Sequence, residues 1–389
     1  MDAIVTDAHN LITLTVIRSL GRAGISVRAL AEGERPLTGL PAAWSRFGRV
    51  VRVPPIERYP SEFWAQVEDM AGPETVFVPV LLNSVTETAA RLRSHGAPRT
   101  LVSGRETLEE LDQTDRLIRR ARTLDIPTPR TFAPSPEEDP DPLCWDQLAF
   151  PAVIKYRHGD VLGLEARDRY RIVRDREELA REYWRMHGVQ ARPLVQEYVE
   201  GTGYGVSALY DREGNLAAAF CHRRLREFPI TGGPSALAES VWEDDLVEYG
   251  TRLLESVGLV GVGMVEFKRE ARTGQFKLME VNPRFWGSLP LAVMSGVDFP
   301  VLYWRLAQGE RVRPVLDYRL GQRMRYLPKD LGAMYQMVRQ ASGNRFRLGL
   351  RLARQLLDTS TGEALFQLAD PLPGLLYILG RLGRGGRSG

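Results

Sequence analysis

Apolar residues recur along this chain with two periods, and each period predicts a type of element. Ala3-Ile4-Val5-Thr6 is a short apolar strand. Leu14, Ile17 and Leu20 then fall at helical spacing ahead of Gly21 and Gly24, and Ser26 to Leu30 forms the next strand. A strand-helix-strand opening predicts a parallel α/β domain. Val76 to Val80 adds another buried strand, followed by a helix over Val85 to Leu92, which sets a first domain at residues 1–105.

Glu106 to Leu124 keeps a helical period up to Asp125, where Ile126-Pro127-Thr128-Pro129 forces extended backbone. Pro134 to Pro142, with four prolines and four acids, is a polar connector. Further strands are expected at Phe150 to Lys155, Leu194 to Val199, Val206 to Tyr210, Leu216 to Cys221, Gly263 to Lys268 and Phe276 to Val281. Asp244 to Val257 supplies a helix between them.

Length and composition narrow the classes. At 389 residues the chain exceeds what one core organises, so two or three domains or subdomains are expected. Its 43% hydrophobic and 26% charged residues are those of a globular protein. With 52 basic against 49 acidic side chains, nothing argues for a nucleic-acid partner. Cys144 and Cys221 form no CxxC or zinc spacing and are expected as reduced thiols, which implies a cytoplasmic location. Met1 to Leu30 has the pattern of strand, helix and strand, not that of a leader peptide. No run approaches the roughly 18 apolar residues of a membrane-spanning helix.

The most informative chemistry lies at Glu280-Val281-Asn282-Pro283-Arg284. Residues two apart on a strand face one side, so Glu280 and Asn282 can offer two oxygens to one hard cation. Pro283 ends the strand and Arg284 emerges beside that position. Upstream, Gly261 to Lys268 is an apolar strand carrying a single acid in its interior, Glu266, and Arg269 to Gln275 makes a plausible hairpin turn. Glu266 would then lie alongside Glu280. Two carboxylates so placed repel unless metal cations neutralise them, and Mg-ATP provides such cations.

From about Thr114 to Gly296 the sequence resembles the ATP-grasp superfamily. The likeness rests on Asp115-Arg116 opening a helix that runs into Asp125-Ile126-Pro127-Thr128-Pro129, on Phe150 to Lys155, and on Val195 to Gly201 as a nucleotide hinge. The acid strand at Glu266 and the Glu280 to Arg284 segment complete the set. Arg at position 116 is similar to the carbamoyl-phosphate synthetase branch, and Arg284-Phe285-Trp286-Gly287-Ser288-Leu289 resembles predicted carboxylate-amine ligases. The resemblance implies an N-terminal parallel α/β pre-ATP-grasp domain at 1–105. It implies a linker helix and lid subdomain at 106–200, a metal-bearing ATP-grasp subdomain at 201–312, and a helical C-terminal extension at 313–389.

The roles implied are specific. Arg116 and Lys155 reach ATP phosphates, and the backbone of Glu197 and Val199 bonds adenine, with Gln196 as a side-chain contact. Tyr204 stands where several relatives have an acid that grips the ribose. Glu266, Glu280 and Asn282 hold Mg2+ or Mn2+, and Arg284 steadies the oxyanion. Gly159 to Gly163 is either a lid loop over the phosphates or a plain hairpin. Gly287, where the synthetase branch has a second arginine, disfavours bicarbonate as substrate.

Outside this set, His222 to Glu227 and Thr231-Gly232-Gly233-Pro234-Ser235 place cations on a strand before a flexible turn. Arg224 and Arg226 share a face in that register and, with Ser235, are candidates to bind an anionic substrate. No nucleophile elbow is present. Leu372, Leu375, Leu376, Leu379 and Leu382 recur at helical spacing with Arg381, Arg384 and Arg387 nearby. That helix either packs on the protein or a second subunit, leaving a homodimer open, or lies on a membrane surface.

The expected activity is an ATP-dependent carboxylate-amine or carboxylate-thiol ligase, acting through an acyl phosphate on small-molecule substrates and releasing ADP and phosphate. The alternatives are bicarbonate activation of the carbamoyl-phosphate synthetase or biotin carboxylase kind, and a non-catalytic ATP-binding regulatory or membrane-associated protein.

Overall fold

The computed structural model describes residues 1–34, 36, 39–94, 99–134, 145, 148–157 and 168–385. They form two compact units, one of Met1–Leu108, Val206–Met264 and Asn282–Gly389, the other of Glu109–Gly205 and Val265–Val281.

The first unit opens with β1 (Asp2–Val5), α1 (Leu11–Arg22), β2 (Ser26–Glu32), β3 (Arg49–Val53), α2 (Pro60–Met70), β4 (Val76–Val78) and α3 (Leu82–Ser94). These strands make a parallel sheet in the order β3-β2-β1-β4, as the alternating strand and helix periods predict. β1 is central, and its Ala3, Ile4 and Val5 are fully buried. Asn10 caps α1 by accepting the Ile12 N–H, and Gly24 at φ 80° lets the chain turn back into β2. α1 is buried far beyond one face, Arg18 included.

α4 (Arg105–Asp112) leads out of this unit. The helix expected over Glu106 to Leu124 is two helices, because Gln113 is extended (φ −78°, ψ 107°) and α5 (Thr114–Thr123) starts anew after it. The second unit continues with β5 (Thr131–Phe132), β6 (Ala152–Lys155), β7 (Tyr170–Val173), α6 (Arg176–His187) and β8 (Leu194–Glu197). Its sheet is antiparallel in the order β5-β8-β6-β7. α6, capped by Asp175, lays Leu179, Tyr183 and Met186 on Ile154, Val173 and Val195.

The remaining elements are β9 (Gly201–Tyr210), β10 (Leu216–Glu227), β11 (Ser235–Val241), α7 (Asp244–Ser256), β12 (Gly261–Glu270), β13 (Phe276–Asn282), α8 (Leu289–Ser295) and α9 (Phe299–Ala307). They are followed by β14 (Arg323–Arg325), α10 (Leu327–Gln340), α11 (Arg345–Leu356), β15 (Thr361–Glu363) and α12 (Leu372–Gly385). The chain passes between the units inside β9, β12 and β13, whose sheet runs β13-β12-β9-β10-β11-β14-β15. The C-terminal region is helical as expected, but it also gives this sheet β14 and β15. Arg18 of α1 ties the region down from within. Its guanidinium donates to the Asp370 carboxylate (2.8 Å), to the Asp370 carbonyl (2.8 Å), and to the carbonyls of Ala364 and Leu365 (3.1 Å each).

Candidate functional site

β12 and β13 form the expected hairpin. The Glu270 N–H donates to the Gln275 carbonyl (2.9 Å), the Gly274 N–H donates to the Glu270 carbonyl (2.8 Å), and Gly274 takes a left-handed φ of 73° that a side chain would strain. Glu266 and Glu280 sit on these adjacent strands of the second unit, Glu266 half-buried and Glu280 exposed. Asn282, two residues further along β13, is buried. Arg284 donates to the Asn282 side-chain oxygen (2.7 Å) and to the Phe285 carbonyl (2.9 Å), so the amide and the guanidinium are held as one rigid pair.

Lys155 ends β6 in the second unit. Burial pushes its ammonium below the ordinary lysine range, while the Glu280 carboxylate pulls it back up, so these two groups feel each other although 125 residues separate them. Arg116 lies half-buried in the first turn of α5. Its neighbour Asp115 pairs with Arg157 (3.2 Å), two residues beyond Lys155, and Arg157 also donates to the Arg192 carbonyl (2.9 Å). The start of α5 is thereby anchored to the exit of β6. Nothing in the local sequence pattern marks Arg157 for this.

The hinge segment follows β8. Gln196 is buried and its amide donates to Thr131 Oγ1 (2.7 Å), which occupies that side chain within the sheet. The Glu197 N–H donates to the Arg130 carbonyl (2.9 Å), and its carboxylate pairs with Lys277. Lys277 also pairs with Glu270 at 3.4 Å. Lys268 donates to the Val199 carbonyl (3.1 Å) and covers the Tyr198 ring. Gly201 comes so close that a Cβ there would meet the Arg269 carbonyl oxygen at 1.9 Å. The hinge is thus clamped by two lysines of the acid hairpin, neither of which stood out in the sequence. Tyr204 is buried edge-on against Phe276, with ring centroids 5.1 Å apart.

In the first unit, β10 departs from the expected alternation. A bulge between Arg224 and Arg226 breaks the period, so the two arginines engage different partners instead of sharing one face. Arg226 forms a two-pronged pair with the fully buried Asp330 (2.6 and 3.0 Å) and reaches Gln355 (2.5 Å). Arg224 reaches Glu227 (3.4 Å) and the Gly233 carbonyl (3.3 Å). The turn before the buried Ser235 is bonded internally, Phe228 N–H to Pro234 O (3.2 Å) and Gly232 N–H to Pro229 O (3.2 Å), so the segment expected to be flexible is a fastened turn. His222 is buried and meets the Ser288 hydroxyl at 3.1 Å. Burial holds the Cys221 thiol far above its ordinary range, so it is no nucleophile at neutral pH.

Among the described residues no three His, Cys, Asp or Glu side chains gather as a metal cage. Within the second unit the hairpin offers the carboxylates of Glu266 and Glu280, hard donors suited to a cation that arrives with its own phosphate ligands. Cys144 and Gly159 to Gly163 lie outside the described residues, as do Arg387 and the side chains of Arg381, Leu382 and Arg384. No helix among the described residues is long and apolar enough to cross a membrane.

Comparisons with known proteins bear on the family and the fold. Residues 190–329 match the family model described as ATP-grasp in the biosynthetic pathway with Ter operon. A biotin carboxylase of Nostoc sp. is 31% identical over 96 residues, a match spanning 24% of this chain and only 21% of that protein. Among solved structures, the fold is similar to the biotin carboxylase domain dimer of Hydrogenobacter thermophilus 2-oxoglutarate carboxylase, in complex with MgADP, ADP and bicarbonate. There the TM-score is 0.64 at 18% identity, covering 83% of this chain and 73% of that one. It is also similar to an L-amino acid ligase from Bacillus licheniformis, with a TM-score of 0.57 at 16% identity over 80% and 75% of the two chains.

Proposed function

We propose that this chain, a member of the ATP-grasp superfamily, is an ATP-dependent ligase that activates a carboxylate as an acyl phosphate and passes the acyl group to an amine or thiol. The observation that carries the proposal is the β12-β13 hairpin, which sets Glu266 and Glu280 on adjacent strands; the pull of Glu280 on the buried Lys155 ammonium lends support. The similar structures of a biotin carboxylase domain bound to MgADP and bicarbonate and of an L-amino acid ligase lend support.

Glu266, Glu280 and Asn282 would hold Mg2+, or Mn2+ in its place, which when bound neutralises the β- and γ-phosphate oxygens. The hinge backbone at Glu197 and Val199 binds adenine, its carbonyl edge fixed by Lys268. Lys155 and Arg116 draw charge from the transferring phosphoryl group as the substrate carboxylate attacks phosphorus. The incoming nucleophile then attacks the acyl carbon, Arg284 steadies the oxyanion, and phosphate leaves. Arg224 is the proposed substrate-facing residue, while Arg226, fastened to Asp330, and the buried Ser235 hold the segment around it, and Gln196 and Tyr204 support the nucleotide segment from the core. In these terms 1–105 and 313–389 flank a lid part at 106–200 and a metal-bearing part at 201–312.

A second reading has its own support in the biotin carboxylase match, namely bicarbonate as the activated acid. Gly287 in place of a second arginine weighs against it. The deciding experiment is ADP release measured over carboxylic acids crossed with amines, with bicarbonate as one of the acids. Oxygen label placed in the productive acid should appear in the released phosphate. AMP and pyrophosphate, or unlabelled phosphate alongside product, would exclude the acyl phosphate.

A further inference from the structure

α11 (Arg345–Leu356) presents three distinct stripes. Leu348, Leu352 and Leu356, spaced by four, turn toward the protein, and Leu352 is 4% exposed. A second apolar stripe at 346, 350, 353 and 357 points outward, with Phe346 79%, Leu350 47% and Leu357 79% exposed and Ala353 exposed beside them. The third stripe is Arg347, Arg351 and Arg354, at spacings of four and three, and all of it is exposed. A helix that only needed to cover the core would carry polar residues where Phe346, Leu350 and Leu357 stand.

The charge that this helix turns outward is positive. From 341 to 379 the sequence has four arginines, no lysine and three acids. Each of those acids is turned to the protein's own groups. Asp358 accepts from Ser360 and lies 3.6 Å from Arg323, Glu363 accepts the N–H groups of Leu327 and Leu365, and Asp370 is buried on Arg18. The outward field of α11 is therefore cationic. A second copy presenting the same face would meet like charge, which disfavours it as the occupant.

We propose that α11 docks the protein on an anionic lipid surface, with the Phe346, Leu350, Leu357 stripe entering the headgroup boundary and Arg347, Arg351 and Arg354 on lipid phosphates. A continuous apolar stripe flanked by arginines, with no acid in the helix, matches a bilayer interface; an acidic protein would have to supply a groove for three large side chains as well as the charge. This surface is independent of the proposed ligase chemistry.

Vesicle flotation with the full chain tests it, using neutral phosphatidylcholine vesicles and vesicles with about 30 mol% phosphatidylglycerol. The protein should float with the anionic vesicles, and less so as salt rises. Leu350→Ser with Leu357→Ser, and separately Arg347→Glu with Arg351→Glu and Arg354→Glu, should each weaken partitioning about tenfold or more. Both sets are exposed, so the thermal midpoint and any basal ADP release without vesicles should be unchanged. Three results would overturn the proposal: no binding to anionic vesicles, binding lost by Leu375→Ser with Leu379→Ser in α12 but kept by the α11 variants, or a dimer that the Leu350→Ser, Leu357→Ser variant abolishes.

Discussion

Arg18 and Asp370, 352 positions apart in sequence, form an ion pair in which both side chains are 2% exposed. Ser45 Oγ (2.8 Å) and the Arg46 N–H (3.0 Å) donate to the same carboxylate, so it is fully bonded. Burial lowers the affinity of Arg18 for its proton, and Asp370 offsets only part of that loss. Asp370→Ala should cost about 3–5 kcal/mol, because it strands a buried cation, while Arg18→Met combined with Asp370→Leu should cost clearly less. Denaturant titration of the wild type and the two variants checks the order. Equal losses would mean that the stranded cation is not what makes Asp370→Ala costly.

Glu280→Gln should leave the thermal midpoint within a few degrees and lower ADP release by at least about a thousandfold. The position is exposed, so the change removes charge and leaves packing alone. Near-normal turnover would dismiss the hairpin as the metal-facing element.

The bulge in β10 separates two arginines that the sequence treats alike. Arg226→Ala leaves the buried Asp330 uncompensated and should destabilise the fold by about 3 kcal/mol. Arg224→Ala should instead raise the Michaelis constant for the acid or amine more than that for ATP, with little loss of stability. An increase confined to ATP would move Arg224 to the nucleotide.

Asp298 begins α9, accepting the Val301 N–H (3.2 Å) and the Ser19 hydroxyl. Burial raises its carboxyl above the ordinary aspartate range, with Ser19 and the Val301 N–H opposing. The native state therefore holds this proton more tightly than the unfolded chain does. The contribution is largest below the ordinary aspartate pKa and is lost as pH rises through the raised native value. Asp298→Asn keeps the cap without the charge, so its stability relative to the wild type should improve from acid to neutral pH, by no more than about 1 kcal/mol. Paired melting curves across that range, with an unchanged or falling difference, would speak against the burial effect.

Much of the fold was legible because its signals are local. The strand-helix-strand opening follows from apolar spacing, and the β12-β13 hairpin follows from Thr273-Gly274 between two alternating runs. Glu266, Glu280 and Lys155 stood out as polar residues in otherwise apolar strands. What escaped notice depends on distant partners. Lys268 and Lys277 read as ordinary strand cations until the hinge is folded beside them, and Arg157 has no meaning without Asp115. β11 begins right after Gly-Gly-Pro, whose turn signal hid the strand. Gln113 broke one expected helix into two without a proline or glycine to announce it.

The Arg18–Asp370 pair also has a bearing on how the chain is made. The N-terminal sheet and α1 leave the ribosome early, yet the carboxylate that neutralises the charge inside α1 is translated 352 residues later. At typical elongation rates of 5–20 residues per second, that interval is roughly 20–70 s. Throughout it, the nascent domain carries a cation where its finished form has dry protein. Until Asp370 emerges, α1 can bury the Arg18 guanidinium only as an uncompensated charge, a cost that the finished chain removes.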